Sequence, residues 1–213
     1  VLTFDPASHR YRVDGAPVPS VTELLEAQGQ TPDYARVPWR QLKHARERGI
    51  HVDACCDLYD AGDLDWTTVH PEALPYVEAW ARWCLDEGYR PIASQVLLYH
   101  PVYGYAGTAD SIGWLRGTWA LVERKATARM ARSYALQAGG YGMPGMWTAG
   151  DDGVLEPAPW DPPARIGVHL QRTGDADPYP YDDPEDFAAF LGVVALTRWS
   201  ALGRGLRRNG RAG

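Results

Sequence analysis

The stretch that decides the fold runs from Tyr105 to Lys125: Tyr105-Ala106-Gly107-Thr108-Ala109-Asp110-Ser111-Ile112-Gly113-Trp114-Leu115-Arg116-Gly117-Thr118-Trp119-Ala120-Leu121-Val122-Glu123-Arg124-Lys125. Two runs rich in β-branched and aromatic residues flank Arg116-Gly117. Tyr103 to Leu115 and Thr118 to Lys125 therefore read as antiparallel strands joined by a two-residue turn. That turn sets Leu115 opposite Thr118 and, counting inward, Asp110 opposite Glu123. Directly opposed residues share a face with Cβ atoms roughly 5 Å apart, and Lys125, two residues beyond Glu123, points the same way. Two carboxylates and an ammonium converge at one spot.

Carboxylates that close repel, and one pKa rises unless a cation sits between them. Lys125 helps, and a divalent metal does better. Oxygen-only ligation by Asp110 and Glu123, completed by water and a backbone carbonyl, suits Mg²⁺ or Mn²⁺ far more than zinc, and it brings Arg124 into the candidate metal set. In phosphodiester cleavage such a metal polarises the phosphate and lowers the pKa of bound water. Lys125 would orient or deprotonate that water, or stabilise the charge on the phosphorane. Gln137 and Tyr141, four residues apart, share one face of the next helix, where an amide and a phenol can grip a phosphate or a base. Gly139 and Gly140 between them suit a backbone that approaches something closely.

Outward from this hairpin, Ile92 to Tyr99 reads as a preceding strand, Met130 to Gly142 as a helix and Gly142 to Pro163 as a Pro/Gly/Asp-rich loop. Arg165 to Gln171 reads as a fourth strand and Pro184 to Leu202 as a last helix. Upstream, Tyr11-Arg12-Val13 and Pro17-Val18-Pro19 form a hairpin about Asp14-Gly15, and Ser20 with Glu23 makes a capping box. Helices are expected from Val37 to Tyr59 and from Leu74 to Glu87. The expected architecture is one α/β domain over 1–213, with a hairpin and helical part (1–90) and a mixed β-sheet with flanking helices (91–213).

The chain has 213 residues, 45% hydrophobic and 23% charged, with a formal net charge of −6. No apolar run nears the roughly 18 residues that cross a bilayer, and the first residues lack a signal-peptide pattern, which excludes a membrane protein and a secreted precursor. The opening valine is what a trimmed chain would show. Cys55, Cys56 and Cys84 have no paired metal-ligand spacing, which points to a reduced, cytoplasmic protein without zinc or an iron-sulfur cluster. The charge is blocky: Arg36, Arg40, Lys43, Arg46 and Arg48 form one basic run, Arg124, Lys125, Arg129 and Arg132 another, and Arg204, Arg207, Arg208 and Arg211 a third. Acid gathers at Asp53, Asp57, Asp60, Asp63 and Asp65. Such runs are commonly solvated faces, yet local basic density is also what a phosphate backbone requires.

Gly107-Thr108-Ala109-Asp110, Glu123-Arg124-Lys125 and Gln137-x₃-Tyr141, in this order and spacing, resemble the PD-(D/E)XK nuclease superfamily, its RecB-like branch in particular. Three further stretches are similar to phage and prophage members: Phe4-Asp5-Pro6 to Thr22, Arg48-Gly49 to Asp60, and Gly167-Val168-His169-Leu170. The resemblance implies a central mixed sheet flanked by helices. It makes Asp110 and Glu123 metal ligands, Lys125 the catalytic lysine, and Gln137 and Tyr141 an accessory pair. Relatives commonly carry a metal-binding histidine after an Arg-Gly pair; an ungapped match puts Asp53 there, with His51 two residues earlier, and Asp53 is favoured. Gln95 stands where relatives often have glutamate. Nothing beyond Cys84 is cysteine, so the iron-sulfur variant of the branch is not expected.

The implied activity is a Mg²⁺- or Mn²⁺-dependent deoxyribonuclease, an exonuclease of phage recombination, repair or replication. DNA would cross Arg36, Arg40, Lys43, Arg129 and Arg132, with Trp39 and Tyr34 available for base stacking. Candidate partners are DNA, a phage recombinase or single-strand-binding protein, and a second copy of the chain. The rivals are an inactive DNA-binding or assembly protein of the same fold and an endonuclease of the same superfamily.

Overall fold

The computed structural model describes residues 1–160 and 163–203. The basic run Arg204, Arg207, Arg208 and Arg211 lies outside the described residues. Strands β1 (Leu2–Asp5), β2 (Arg10–Val13) and β3 (Ala16–Val18) form an antiparallel meander. The expected hairpin is present, with Tyr11 opposite Val18 and Val13 opposite Ala16. Asp14 and Gly15 both take the positive φ, 49° and 80°, that its tight turn demands. Strand β1 is not expected from the sequence; its four residues pair with β2 from Leu2–Val13 to Asp5–Arg10. The meander is fastened to the main sheet where Tyr11 Oη meets Thr108 Oγ1 at 2.7 Å and where Ala106 N–H donates to Pro19 O at 2.9 Å.

Helix α1 (Val21–Ala27) opens on the expected capping box: Ser20 Oγ accepts from Glu23 N–H at 3.0 Å and Glu23 Oε2 from Ser20 N–H at 2.8 Å. Helix α2 (Trp39–Ala61) starts after Pro38, and α3 (Leu74–Glu87) has the bounds the spacing predicts. Among the described residues, no helix is long and apolar enough to cross a membrane.

The main sheet holds β4 (Arg90–His100), β5 (Tyr105–Leu115), β6 (Thr118–Lys125), β7 (Trp147–Ala149), β8 (Leu155–Pro157), β9 (Ala164–Leu170) and β10 (Ala176–Pro180), in the order β10-β9-β6-β5-β4-β7-β8. Only β6 and β9 run parallel, so the sheet is mixed, as expected. The segment expected as a loop, Gly142 to Pro163, carries β7 and β8. Each has three residues, too few for alternation to show; β7 is defined by its pairing with β4 at Leu98–Thr148, and β8 by its pairing with β7 at Thr148–Glu156. Strand β10 also escaped the sequence analysis, because Pro178 and Pro180 mask it; an edge strand tolerates both, since its outer N–H groups need no partner.

Helices cover both faces, with α4 (Ser133–Tyr141) and α5 (Glu185–Gly203) completing the set. On one side Val52, Cys56, Val77 and Trp80 of α2 and α3 pack on Val122 and Val168. On the other, Leu24, Tyr141, Phe190 and Val194 pack on Leu121. A strand covered on both faces is buried at consecutive positions, and β6 is buried from Ala120 to Arg124. Its even positions face α2 and α3, its odd positions α4 and α5. The thiols of Cys55, Cys56 and Cys84 are free and buried in the α2–α3 layer.

Candidate active site

Arg116 and Gly117, at φ 51° and 87°, make the β5–β6 turn, and the register runs from Leu115–Thr118 to Ser111–Val122 as the sequence predicts. Past that point the ladder stops and side chains take over its hydrogen bonds. Asp110 N–H donates to Glu123 Oε1 at 3.2 Å, and Arg124 N–H donates to Asp110 Oδ2 at 2.8 Å. Lys125 Nζ donates to Glu123 Oε2 at 2.8 Å and lies 3.9 Å from Asp110 Oδ2. Asp110, Glu123 and Lys125 thus meet at the splayed end of two strands.

The energetics of this spot follow from its enclosure. Glu123 is 1% exposed. Lost hydration, then the charge of Asp110, raise its carboxyl to about 7, against the pull of Lys125. Burial alone would lower the Lys125 pKa, but Glu123 and Asp110 outweigh it and hold the group as an ammonium, above its ordinary range. That ammonium sits 5.2 Å above the Tyr134 ring.

Helix α4 brings Gln137 and Tyr141 to the same face, where Gln137 Nε2 donates to Tyr141 Oη at 3.2 Å. Burial, followed by the Glu123 charge, keeps the Tyr141 phenol protonated. Gly107 is explained by this helix: a Cβ there would lie well inside 3.0 Å of the Tyr141 ring, so only glycine lets α4 rest on β5. Gly139 and Gly140 do not approach a ligand. Added Cβ atoms would meet Asp186 O at 3.1 Å and Phe190 Cζ at 2.8 Å, so this pair serves the packing of α4 on α5.

Arg124 points to the opposite face. Its guanidinium is fully buried, paired with Asp57, 3.2 Å from Asp60 Oδ2 and 4.0 Å from Asp53 Oδ1, and lies over Trp80 at 5.2 Å. A cationic side chain so placed is no metal ligand; only its carbonyl remains in the candidate set. Arg124 is also no part of a solvated basic run. The acidic run divides likewise: Asp53, Asp57 and Asp60 line one face of α2 against Arg124, whereas Asp65 caps the short 3-10 turn Trp66–Thr68. The i, i+4, i+7 spacing of the three aspartates was the available sign, opposite a buried arginine that only the fold supplies.

Asp53 and His51 part company. Asp53 lies 4.0 Å from Arg124 Nε with its side chain half open; lost hydration and then the charge of Asp110 raise its carboxyl to about 7. His51 Nε2 instead accepts from His70 N–H at 3.3 Å and faces Cys55 Sγ at 3.8 Å, turned toward the segment before α3. Gln95 sits in the β4 register between Ser94–Ser111 and Val96–Ala109, across from Asp110, with φ 52°. A left-handed residue inside a strand costs roughly 1–2 kcal/mol, and strain of this kind collects at functional sites.

Arg36, Arg40, Lys43, Arg129 and Arg132 are all exposed. Arg129 and Arg132 follow Lys125 on the way into α4. Tyr34, in the loop before α2, is 42% exposed. Trp39 is 67% exposed. For a hard cation, the donors at hand are Asp110, Glu123 and the half-open Asp53, mutually repelling oxygens of the kind Mg²⁺ or Mn²⁺ prefers. Among the described residues, no three His, Cys, Asp or Glu side chains are already gathered into a metal cage, so a bound cation would rest on Asp110 and Glu123 with a carbonyl and water making up the rest. No protein-family model matches the sequence, and no curated protein matches it at significant similarity.

Proposed function

We propose that this chain is a Mg²⁺- or Mn²⁺-dependent DNA nuclease of the PD-(D/E)XK type, acting as an exonuclease in phage or prophage recombination, repair or replication. The observation that carries this reading is the meeting of Asp110, Glu123 and Lys125, two carboxylates and an ammonium, where β5 and β6 separate. Asp110 and Glu123 would hold the cation, with a backbone carbonyl and water completing its shell. When bound, the cation polarises the scissile phosphate and acidifies its water. Lys125, kept charged by its two neighbours, holds a phosphate oxygen or the incoming water and offsets the negative charge that builds as the P–O bond to the leaving strand breaks. Tyr141, anchored by Gln137, keeps its own proton to donate. The exposed Arg36, Arg40, Lys43, Arg129 and Arg132 neutralise backbone phosphates on the approach.

One observation favours a second reading, a DNA-binding protein of this fold without catalysis: Gln95 supplies no carboxylate opposite Asp110. The test is incubation of purified protein with linear and closed circular DNA in Mg²⁺, Mn²⁺ or EDTA, beside Glu123→Ala and Lys125→Ala. Metal-dependent loss of linear DNA alone, abolished in both variants, supports the exonuclease. Cutting of circles makes it an endonuclease, and binding without loss under every condition supports the inactive protein.

A further inference from the structure

The sequence singles out Gly167-Val168-His169-Leu170 without giving it work, and the structure supplies a reason for its glycine. Gly167 pairs in register with Glu123 across the parallel β6–β9 ladder, so a side chain at 167 would point to the same face as the Glu123 carboxyl. That space is taken by Tyr181. A Cβ on Gly167 would fall well inside 3.0 Å of Tyr181 Oη, and 2.8 Å from Met130 Cε. The phenol is aimed there by its own backbone, since Tyr181 N–H donates to Arg165 O at 2.8 Å just past the end of β10.

The Tyr181 hydroxyl is buried and has no hydrogen-bond partner. Glu123 does not provide one: its oxygens accept from Asp110 N–H and Lys125 Nζ and make no hydrogen bond with Tyr181. Buried polar atoms are almost always satisfied, and an exception beside a reactive cluster points to a missing acceptor. Burial raises the phenol to about 12, so the group meets a ligand as a donor. With Lys125 it makes two donors on one side of the site, and the ligand class that answers them is one rich in acceptor oxygens and poor in donors: a phosphodiester.

We propose that Tyr181 is a catalytic residue whose hydroxyl donates a hydrogen bond to a nonbridging phosphate oxygen of the strand seated against Glu123 and Lys125, with Gly167 kept free of a side chain to admit it. The proposal rests on the nuclease reading above. The covalent change is unaltered by it: water adds to phosphorus, the bond to the leaving oxygen breaks, and Tyr181 keeps its proton throughout.

The test is Tyr181→Phe, with Gly167→Ala as a second variant that displaces the phenol from the other side. Steady-state cleavage of linear DNA, thermal melting and Mn²⁺ titration are measured on each full-length protein. Tyr181→Phe is expected to lower kcat on the order of a hundredfold, as removal of a single donor from an oxyanion site does. KM, Mn²⁺ affinity and melting temperature should hold or improve, because the lost hydroxyl makes no bond in the free protein. Gly167→Ala should lower kcat in the same direction. Wild-type kcat in Tyr181→Phe, or a loss of rate matched by lower melting temperature and weaker Mn²⁺ binding, overturns the role of Tyr181 while leaving the nuclease standing. Equal, background cleavage by wild type and Lys125→Ala overturns the nuclease reading itself and this role with it.

Discussion

Arg124 and Lys125 are neighbours in sequence with opposite faces and opposite work. Lys125 joins Asp110 and Glu123, whereas Arg124 clamps α2 to the sheet through Asp57 and Asp60. Removing one partner of a buried ion pair leaves uncompensated charge and costs about 3–5 kcal/mol. Arg124→Ala should therefore lower the unfolding free energy measured by urea titration by an amount of that order, and Arg124→Lys should recover only part, since an ammonium cannot fork to two carboxylates. Lys125→Ala should leave DNA binding far less affected than turnover. At this scale the sequence told much. The opposition of Asp110 and Glu123 followed from a two-residue turn, and Lys125 from the strand period. The role of Arg124 did not, because the aspartates it meets lie more than sixty residues upstream on a helix whose docking no local pattern reveals. Tyr181 was equally hidden, since a phenol over a glycine of a neighbouring strand leaves no spacing to read.

Strand β4 shows both what local chemistry displays and what it conceals. Its last residue, His100, is 2% exposed and fixed in one neutral tautomer: Nε2–H donates to Pro144 O at 3.0 Å, and Nδ1 accepts from Tyr103 N–H at 3.3 Å. Burial sets the folded pKa below the ordinary 6.5. A pKa depressed on folding means that this stability is complete above the unfolded value and is lost as pH falls through the folded one. The melting temperature should therefore drop as pH falls through and below 6.5, and His100→Gln should flatten that dependence in a pH series of melting curves. Helix α3 and strand β6 were readable to the residue because apolar spacing and turn signals agree there. Strands β1, β7, β8 and β10 were not. They are short, or carry prolines, and exist because a neighbouring strand offers them a ladder.

For the whole molecule, the formal net charge of −6 coexists with exposed cationic side chains at Arg36, Arg40, Lys43, Arg129 and Arg132. If these groups contact phosphates, affinity for duplex DNA falls with salt at a log–log slope of about −0.9 for each contact. Measured with Glu123→Ala to prevent cleavage, the triple variant Arg36→Ala, Arg40→Ala, Lys43→Ala should flatten that slope by roughly 2.7; an unchanged slope removes α2 and its preceding loop from the DNA path. The mixed sheet between helical layers was anticipated from the alternation of elements, but the position of β9 beside β6 was not. That adjacency depends on a crossover, and no residue near Lys125 announces that residues 164–170 will flank it. The crossover also sets an order of events during synthesis. Until residue 170 has left the ribosome, β6 is a bare rim on that side, and Glu123 and Lys125 hang on it without a floor. A nascent chain carries Asp110, Glu123 and Lys125 well before β9 arrives to enclose them, so their burial is one of the later events of folding.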